Sequence, residues 1–419
     1  MNYLTMNYEP TMYLKFAWRY FKAKKSANAI NIIAWVTVGV IAFATCCQVL
    51  VLSVFNGFEG LVKSLYASFY TDIKIIPAKG KTFFVTPQQL EQLKQQPFVQ
   101  NLSFIAEEKA VLQNTGANEA QTVVSLKGVD ENYGAVSGVP AKTNKGKFNT
   151  GTIDAPGIIL GAGIQYAAGV SFNPAFETDS LTVILPKKNS STDPLQSLSE
   201  GNVQPTGVFT IQQDFDNNYA ITNIGFVKQQ LGLDSNEYSA IELKLTPTAD
   251  IAGAKEKLSS LLGSTYKVQT LYEQNMSLYN TMKLERWFIF AVLTLILIVS
   301  AFTMVSALTM LVLEKQKDIS VLQSMGATSL TIQKIFLSEG LLLGGIGAAI
   351  GIVMAVILCL VQLKFKPIKI GGGSFLIDYY PVQLIATDFV LVAATATLIA
   401  FFASWFPAHK AAGQAFELR

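Results

Sequence analysis

Few side chains in this 419-residue sequence are placed to make or break covalent bonds. His409 is the only histidine, so a His-Glu-x-x-His zinc site is ruled out, and the base that a serine nucleophile needs could come only from this one residue near the end of the sequence. Cys46, Cys47 and Cys359 all fall inside apolar runs and read as small core hydrophobes, not metal ligands. No stretch has the G-x4-G-K-[ST] form of a phosphate loop; "KGKF" at 145–148 lacks both the spacing and the hydroxyl, and "GGGS" at 371–374 reads as a flexible turn. Glu339, at the end of an apolar run, is the one ionisable group expected within a span, and no cluster suggests a proton relay. The most organised polar stretch is 311–340. Glu314, Lys317 and Asp318 are followed by Ile319, Leu322, Met325 and Gly326 at helical spacing. Such a pattern performs no chemistry. It offers a charged side and an apolar side to another protein, with Ile319, Leu322 and Met325 as anchors, Gly326 as a helix stop and Thr328 or Ser329 as the cap of the next helix. Energy for any work must then come from a partner.

The elements that would position this stretch are membrane spans. The chain is 50% hydrophobic and 15% charged, and its net charge of +3 is too small to suggest nucleic acid as a partner. Four runs are long enough to cross a bilayer: 29–55, 287–313, 335–363 and 384–406. "FATCC" makes a poor cleavage site and the apolar run continues beyond it, so the first run reads as a retained anchor. Lys15, Arg19, Lys22, Lys24 and Lys25 against Glu9 place the basic, aromatic segment 1–28, with Trp18, on the cytoplasmic side, where it would lie along the interface. Four spans return the tail 407–419, with His409, Lys410 and Arg419, to the same side; Lys364, Lys366 and Lys369 in the outer loop 364–383 run against this. Trp35, Trp287 and Trp405 sit near span ends. The charged stretch 314–334 thus becomes a cytoplasmic coupling segment. Gly340, Gly344 and Ala348, with Gly347 and Gly351, recur at four-residue spacing and predict close packing of the third span.

Residues 56–286 remain as one large extracytoplasmic insertion with a mixed pattern. Strands are expected at 72–77, 101–113, 121–129, 180–186, 207–213, 239–245 and 265–271, and helices at 86–95, 218–233 and 248–263, the last capped by Thr248 and stopped by Gly263. The polar insertion 187–207 reads as a long loop or an extended hairpin. At the two ends, 56–70 and 271–285 carry apolar residues at helical spacing, as if the first two spans ran on as amphipathic stalks. The fold class is a membrane protein with four transmembrane α-helices and a large α+β domain between the first two.

"LEKQKDISVLQSMGAT" resembles the coupling segment of ABC-transporter permeases of the MacB/FtsX superfamily, whose E-x-x-[KR]-[ED]-I pattern is met at Glu314, Lys317, Asp318 and Ile319; Gln323 stands where a basic residue is usual. "VLSVFNGFEG" at 51–60 is similar to the element that ends the first span of the LolC/LolE lipoprotein-releasing permeases. "GIILGAGIQYAAGV" followed by "DSLTVILP", and the closing "SWFPAHKAAGQAFELR", also resemble that family. The resemblance implies a MacB-like extracytoplasmic domain in two parts, a second permease copy (the same protein or another) and a separate cytoplasmic ABC ATPase that uses ATP-Mg, with no cofactor bound by this chain. It implies residence in the bacterial inner membrane, and extraction of lipoproteins from its lipid for delivery to a periplasmic carrier. Position in the strand order would make 187–206 the carrier-recruiting hairpin. A cargo cavity would then be walled by Val40, Phe43, Val51 and Phe55 of the first span and Phe290, Leu293 and Leu297 of the second. An FtsX-type signal relay and a MacB-like efflux or mechanotransmission permease are the alternatives.

Overall fold

The computed structural model describes residues 28–115, 120–172, 180–188, 197–370 and 379–413. The expected N-terminal interfacial segment, "GGGS" and the tail beyond 413 lie outside them. In chain order the elements begin with α1 (Asn28–Phe69), β1 (Ile73–Pro77), β2 (Phe83–Phe84), α2 (Pro87–Lys94), β3 (Val99–Asn114) and β4 (Gln121–Val129). They continue with β5 (Thr143–Gly146), β6 (Gly157–Gly161), β7 (Leu181–Pro186), β8 (Leu198–Phe209), β9 (Tyr219–Asn223), α3 (Ile224–Leu231) and β10 (Glu237–Tyr238). The rest are β11 (Ala240–Leu245), α4 (Ile251–Leu262), β12 (Tyr266–Thr270), α5 (Met276–Glu314), α6 (Gln316–Ser324), α7 (Ser329–Phe365) and α8 (Ala386–Ala412). The chain forms two compact units, one of residues 1–61 with 280–419 and one of 62–279.

In the first unit α1, α5, α7 and α8 are each long and apolar enough to cross a membrane. Glycine decides how α7 packs. A Cβ added at Gly344 would lie 2.4 Å from Ala400 Cβ of α8, and one at Gly340 2.2 Å from Ser404 Cβ. On the other flank a Cβ at Gly351 would lie 2.4 Å from the Ala42 carbonyl oxygen of α1, and one at Gly347 2.9 Å from Ile41 Cγ2. The two staggered glycine pairs therefore let α7 touch two helices at once, which larger side chains would hold apart. Leu343 and Ala348 fill the seam together with Val38, Ile41, Leu297, Met304 and Ala400.

In the second unit the strand order is β12-β1-β11-β3-β4-β9-β6-β8-β5, and β7 pairs with both β3 and β8. That double pairing closes β3, β4, β9, β6, β8 and β7 into a ring. Only β4–β9 and β6–β8 are parallel within it. Alternate residues point inward: Leu112, Val124, Leu126, Ile158, Leu160, Val183 and Val203 form its core, sealed by Phe226 and Val227 of α3. Strand β3 is long enough to serve twice. Its first half pairs with β11 in an open sheet whose core, with Ile73, Ile75 and Leu243, is covered by Leu93 of α2 and Leu258 of α4.

Two expectations are corrected here, and one open alternative is decided. Residues 219–223 are strand β9, not helix; Ala220, Ile221 and Thr222 are fully buried on both faces, which suits a strand flanked by β4 and β6. The cap of α4 is Asp250, whose carboxylate accepts from the Ala252 and Gly253 amides, not Thr248. Strand β8 starts at Leu198, so the polar stretch after β7 is an extended hairpin, in register from Leu181↔Val203 to Pro186↔Leu198; its tip, 189–196, lies outside the described residues. The capping box of α2, Thr86 with Gln89, is as its sequence spells it.

Candidate coupling helix and membrane faces

Helix α6 is short and sharply bounded. It ends in a left-handed glycine, Gly326 (φ 93°), with the Ala327 amide donating to the Leu322 carbonyl at 2.9 Å and the Gly326 amide to the Gln323 carbonyl at 3.0 Å. Thr328 then caps α7, its Oγ1 accepting from the Thr331 amide at 3.3 Å. At the other end Lys315 Nζ lies 3.1 Å from Asp318 Oδ2, and Asp318 occupies the first turn, where the helix dipole favours an acid. Glu314 and Lys317 are exposed.

The expected anchor Ile319 faces the wrong way for docking. It is buried against Val312 of α5, Ile332 and Phe336 of α7, and Ala408 and Ala411 of α8. Ile319 therefore bolts α6 to three membrane helices. Two residues further, about 200° round the helix, Val321 is 57% exposed and Met325 78%. Leu322 is half-buried between the two faces. The free apolar face is thus Val321 and Met325, with Leu330 exposed beyond the turn.

The expected cargo wall divides in the same way. On α1, Phe43 and Val51 are exposed, and Val40 and Phe55 half-buried. On α5 the chosen residues point inward: Leu297 is buried in the bundle, Phe290 packs on Cys46, Val49, Leu52 and Val392, and Leu293 is half-buried. The free face of α5 is instead Phe288, Val292, Leu295, Val299 and Phe302, spaced by alternating fours and threes.

Of the polar groups within the spans, sequence reading found only Glu339. Glu339 is buried in α7, its Oε2 without a hydrogen-bond partner, and it interacts electrostatically with Lys315 at the root of α6. It is not alone: Asp388 in α8 is also buried, and it pairs with Arg286 of α5 and Asn56 of α1. Gln48 Nε2 of α1 donates to Thr294 Oγ1 of α5 at 3.1 Å. A single acid in an apolar run, as at Asp388, was the available signal.

The first unit thus holds four helices long and apolar enough to cross a membrane, with α6 between the second and third of them. Residues 290–416 match the family described as FtsX-like permease C-terminal. The chain is 26% identical to lipoprotein-releasing system transmembrane protein LolE of Haemophilus influenzae, over 94% of this chain and 96% of that protein. It is 28% identical to LolC of Neisseria meningitidis serogroup B, over 94% of this chain and 95% of that protein. Among solved structures, the periplasmic region of MacB from Actinobacillus actinomycetemcomitans matches at 14% identity and a TM-score of 0.36, covering 51% of this chain and 95% of that one. The C-terminal part of the chain is thus similar to the FtsX-like permease C-terminal region. Over most of its length the chain is similar to the LolE and LolC proteins.

Proposed function

We propose that this permease extracts lipoproteins from the bacterial inner membrane and hands them to a periplasmic carrier, powered by ATP-Mg at a separate cytoplasmic ATPase. Both chain termini are then cytoplasmic, and the unit 62–279 faces the carrier. The observation that carries the reading is α6: bolted to three spans by Ile319 and presenting Val321 and Met325 outward, it passes a push on its exposed face straight into α5, α7 and α8. Likeness to LolE and LolC supplies the cargo class. Aspartate at both Val321 and Met325 would bury unpaired charge in the ATPase groove, at a cost of several kcal/mol. Co-purification with the ATPase is expected to be lost, while detergent stability is kept because both side chains are exposed. Retention of the ATPase at the wild-type level would refute the docking.

Cargo acyl chains need only apolar surface. They gain roughly 0.8 kcal/mol per CH₂ against water but almost nothing against lipid, so extraction takes its drive from the ATPase and its selectivity from shape. The wall we assign is Phe43 and Val51 of α1 with Phe288, Val292, Leu295, Val299 and Phe302 of α5, facing a second permease, a copy of this chain or a relative. The β7–β8 hairpin is the element we assign to the carrier. A photo-crosslinker at Phe43 or Val299 is expected to capture acylated protein when ATP hydrolysis is blocked. Capture of lipid alone would count against cargo release and for a transmembrane relay.

A further inference from the structure

Three helices bring one polar side chain each to a single point, at the end of the bundle where α1 leaves and α5 enters. Asp388 Oδ2 accepts from Asn56 Nδ2 of α1 at 2.6 Å, and Asp388 Oδ1 accepts from Arg286 Nη2 of α5 at 2.5 Å. The two contacts differ in kind. Around Asn56, α1 is tied to the approach to α8 by its backbone as well: the Gln383 amide donates to the Ser53 carbonyl at 2.9 Å. Gly57 lies so close to Pro381 that a Cβ would sit 2.3 Å from its carbonyl oxygen. Nothing at that point could separate α1 from this segment without breaking main-chain packing. Helix α5 reaches Asp388 itself through one flexible side chain; its ties to α1 lie to either side, with Lys63 Nζ 5.8 Å from the Tyr279 ring centroid, Phe290 packed on Val49 and Leu52, and Gln48 bonded to Thr294.

Exposure differs too. The Asp388 side chain is 6% exposed and that of Arg286 32%. The carboxylate is fixed in the bundle, whereas the arginine side chain has part of its surface outside and a long stem on which to swing outward. Trp287 beside it is exposed, as an indole at headgroup depth is. A carboxylate inside an apolar helix is costly unless paired, so the ion pair biases the bundle strongly toward the arrangement described.

We propose that Arg286 and Asp388 form a releasable latch: Asn56 and Asp388 are the fixed half on α1 and α8, Arg286 is the moving half, and its release frees this end of α5 to swing from the bundle during the working cycle. The inference concerns internal motion of the permease and holds whatever the cargo. It predicts that the cation, not merely charge balance, keeps α5 closed.

The test places spin labels at exposed Leu284 of α5 and Val390 of α8, with the three native cysteines replaced, in full-length protein in nanodiscs. The wild-type chain and Arg286→Lys should give one narrow distance distribution. Arg286→Gln should add a longer, broader one. In Arg286→Gln with Asp388→Asn no buried charge is left unpaired, so thermal stability should recover while the long component stays. A double variant with the wild-type distribution would mean that charge burial alone is at stake, and would overturn the latch. So would an unchanged distribution in folded Arg286→Gln.

Discussion

Leucine at Gly351 together with leucine at Gly344 is expected to leave almost no monodisperse protein in detergent, and alanine at either position alone to lower the melting temperature. At Gly351 the added Cβ falls 2.4 Å from a backbone oxygen of α1, and at Gly344 2.4 Å from a Cβ of α8. Neither neighbour is the end of a flexible side chain, so whole helices must separate. Overpacking of this kind typically costs about 1–3 kcal/mol per substitution and occasionally more, and here it opens two helix seams. Gly345 supplies the control. An added Cβ there meets nothing, and alanine is the better helix former by up to about 1 kcal/mol. Gly345→Ala should therefore keep or raise the melting temperature measured by scanning fluorimetry. Equal, small effects at 344, 345 and 351 would show that the glycines are there for some reason other than close packing.

The second large effect is expected in the domain 62–279. Lys127 of β4 and Glu242 of β11 form a pair at 2.8 Å with side chains 2% and 1% exposed. The Lys127 ammonium also lies over two rings, 5.0 Å from the centroid of Phe69 and 4.9 Å from that of Tyr133. Glu107 and Lys74 extend the cluster, Lys74 Nζ lying 3.5 Å from Glu107 Oε2. Burial alone would favour neutral Lys127, but Glu242, with Tyr133 and Glu107, outweighs it and holds the amine above its ordinary range. Lys127→Met leaves a carboxylate stranded and should cost about 3–5 kcal/mol. Adding Glu242→Gln should restore much of that loss. Hydrogen exchange across β4 and β11 reads both, and a single variant as protected as wild type would refute the assignment. Acid should act in the same direction as Lys127→Met. Burial raises the Glu107 carboxyl, yet Lys74 and Lys127 bring it below its ordinary range. Its stabilisation is present above the ordinary carboxylate range and fades as pH falls through the lowered value.

Much of this architecture was legible because length and polarity decide it. Four apolar runs of spanning length became four helices, and the glycine spacing of 340–351 became two packed seams. Legibility failed where both answers look alike in one dimension. Ile319 and Val321 are equally apolar and lie on opposite sides of α6; which faces in is settled by Ile332, Phe336 and Ala408, remote in sequence. The same holds for α5, apolar all round, where Leu297 turned inward and Val299 outward. A helix with no polar side carries no directional signal in its period. Residues 219–223 failed for a related reason. Tyr219–Asn223 is a five-residue strand joined directly to α3, and its short apolar run fits either state until β4 and β6 take it between them.

Strands β1 and β12 pair from Ile73↔Thr270 to Pro77↔Tyr266, and the Leu271 amide donates to the Asp72 carbonyl at 3.1 Å. The inserted domain thus starts and finishes on neighbouring strands, about 5 Å apart by ordinary sheet geometry. For the chain entropy of the membrane helices, some two hundred residues then count as a short turn. A flexible loop of that length would cost several kcal/mol in closure, growing as the logarithm of its length; the folded insertion imposes almost none of this on α1 and α5. Such a domain is an exchangeable cassette. Its rim loops and hairpin can diverge, lengthen or be replaced wholesale while the four-helix unit keeps one sequence solution.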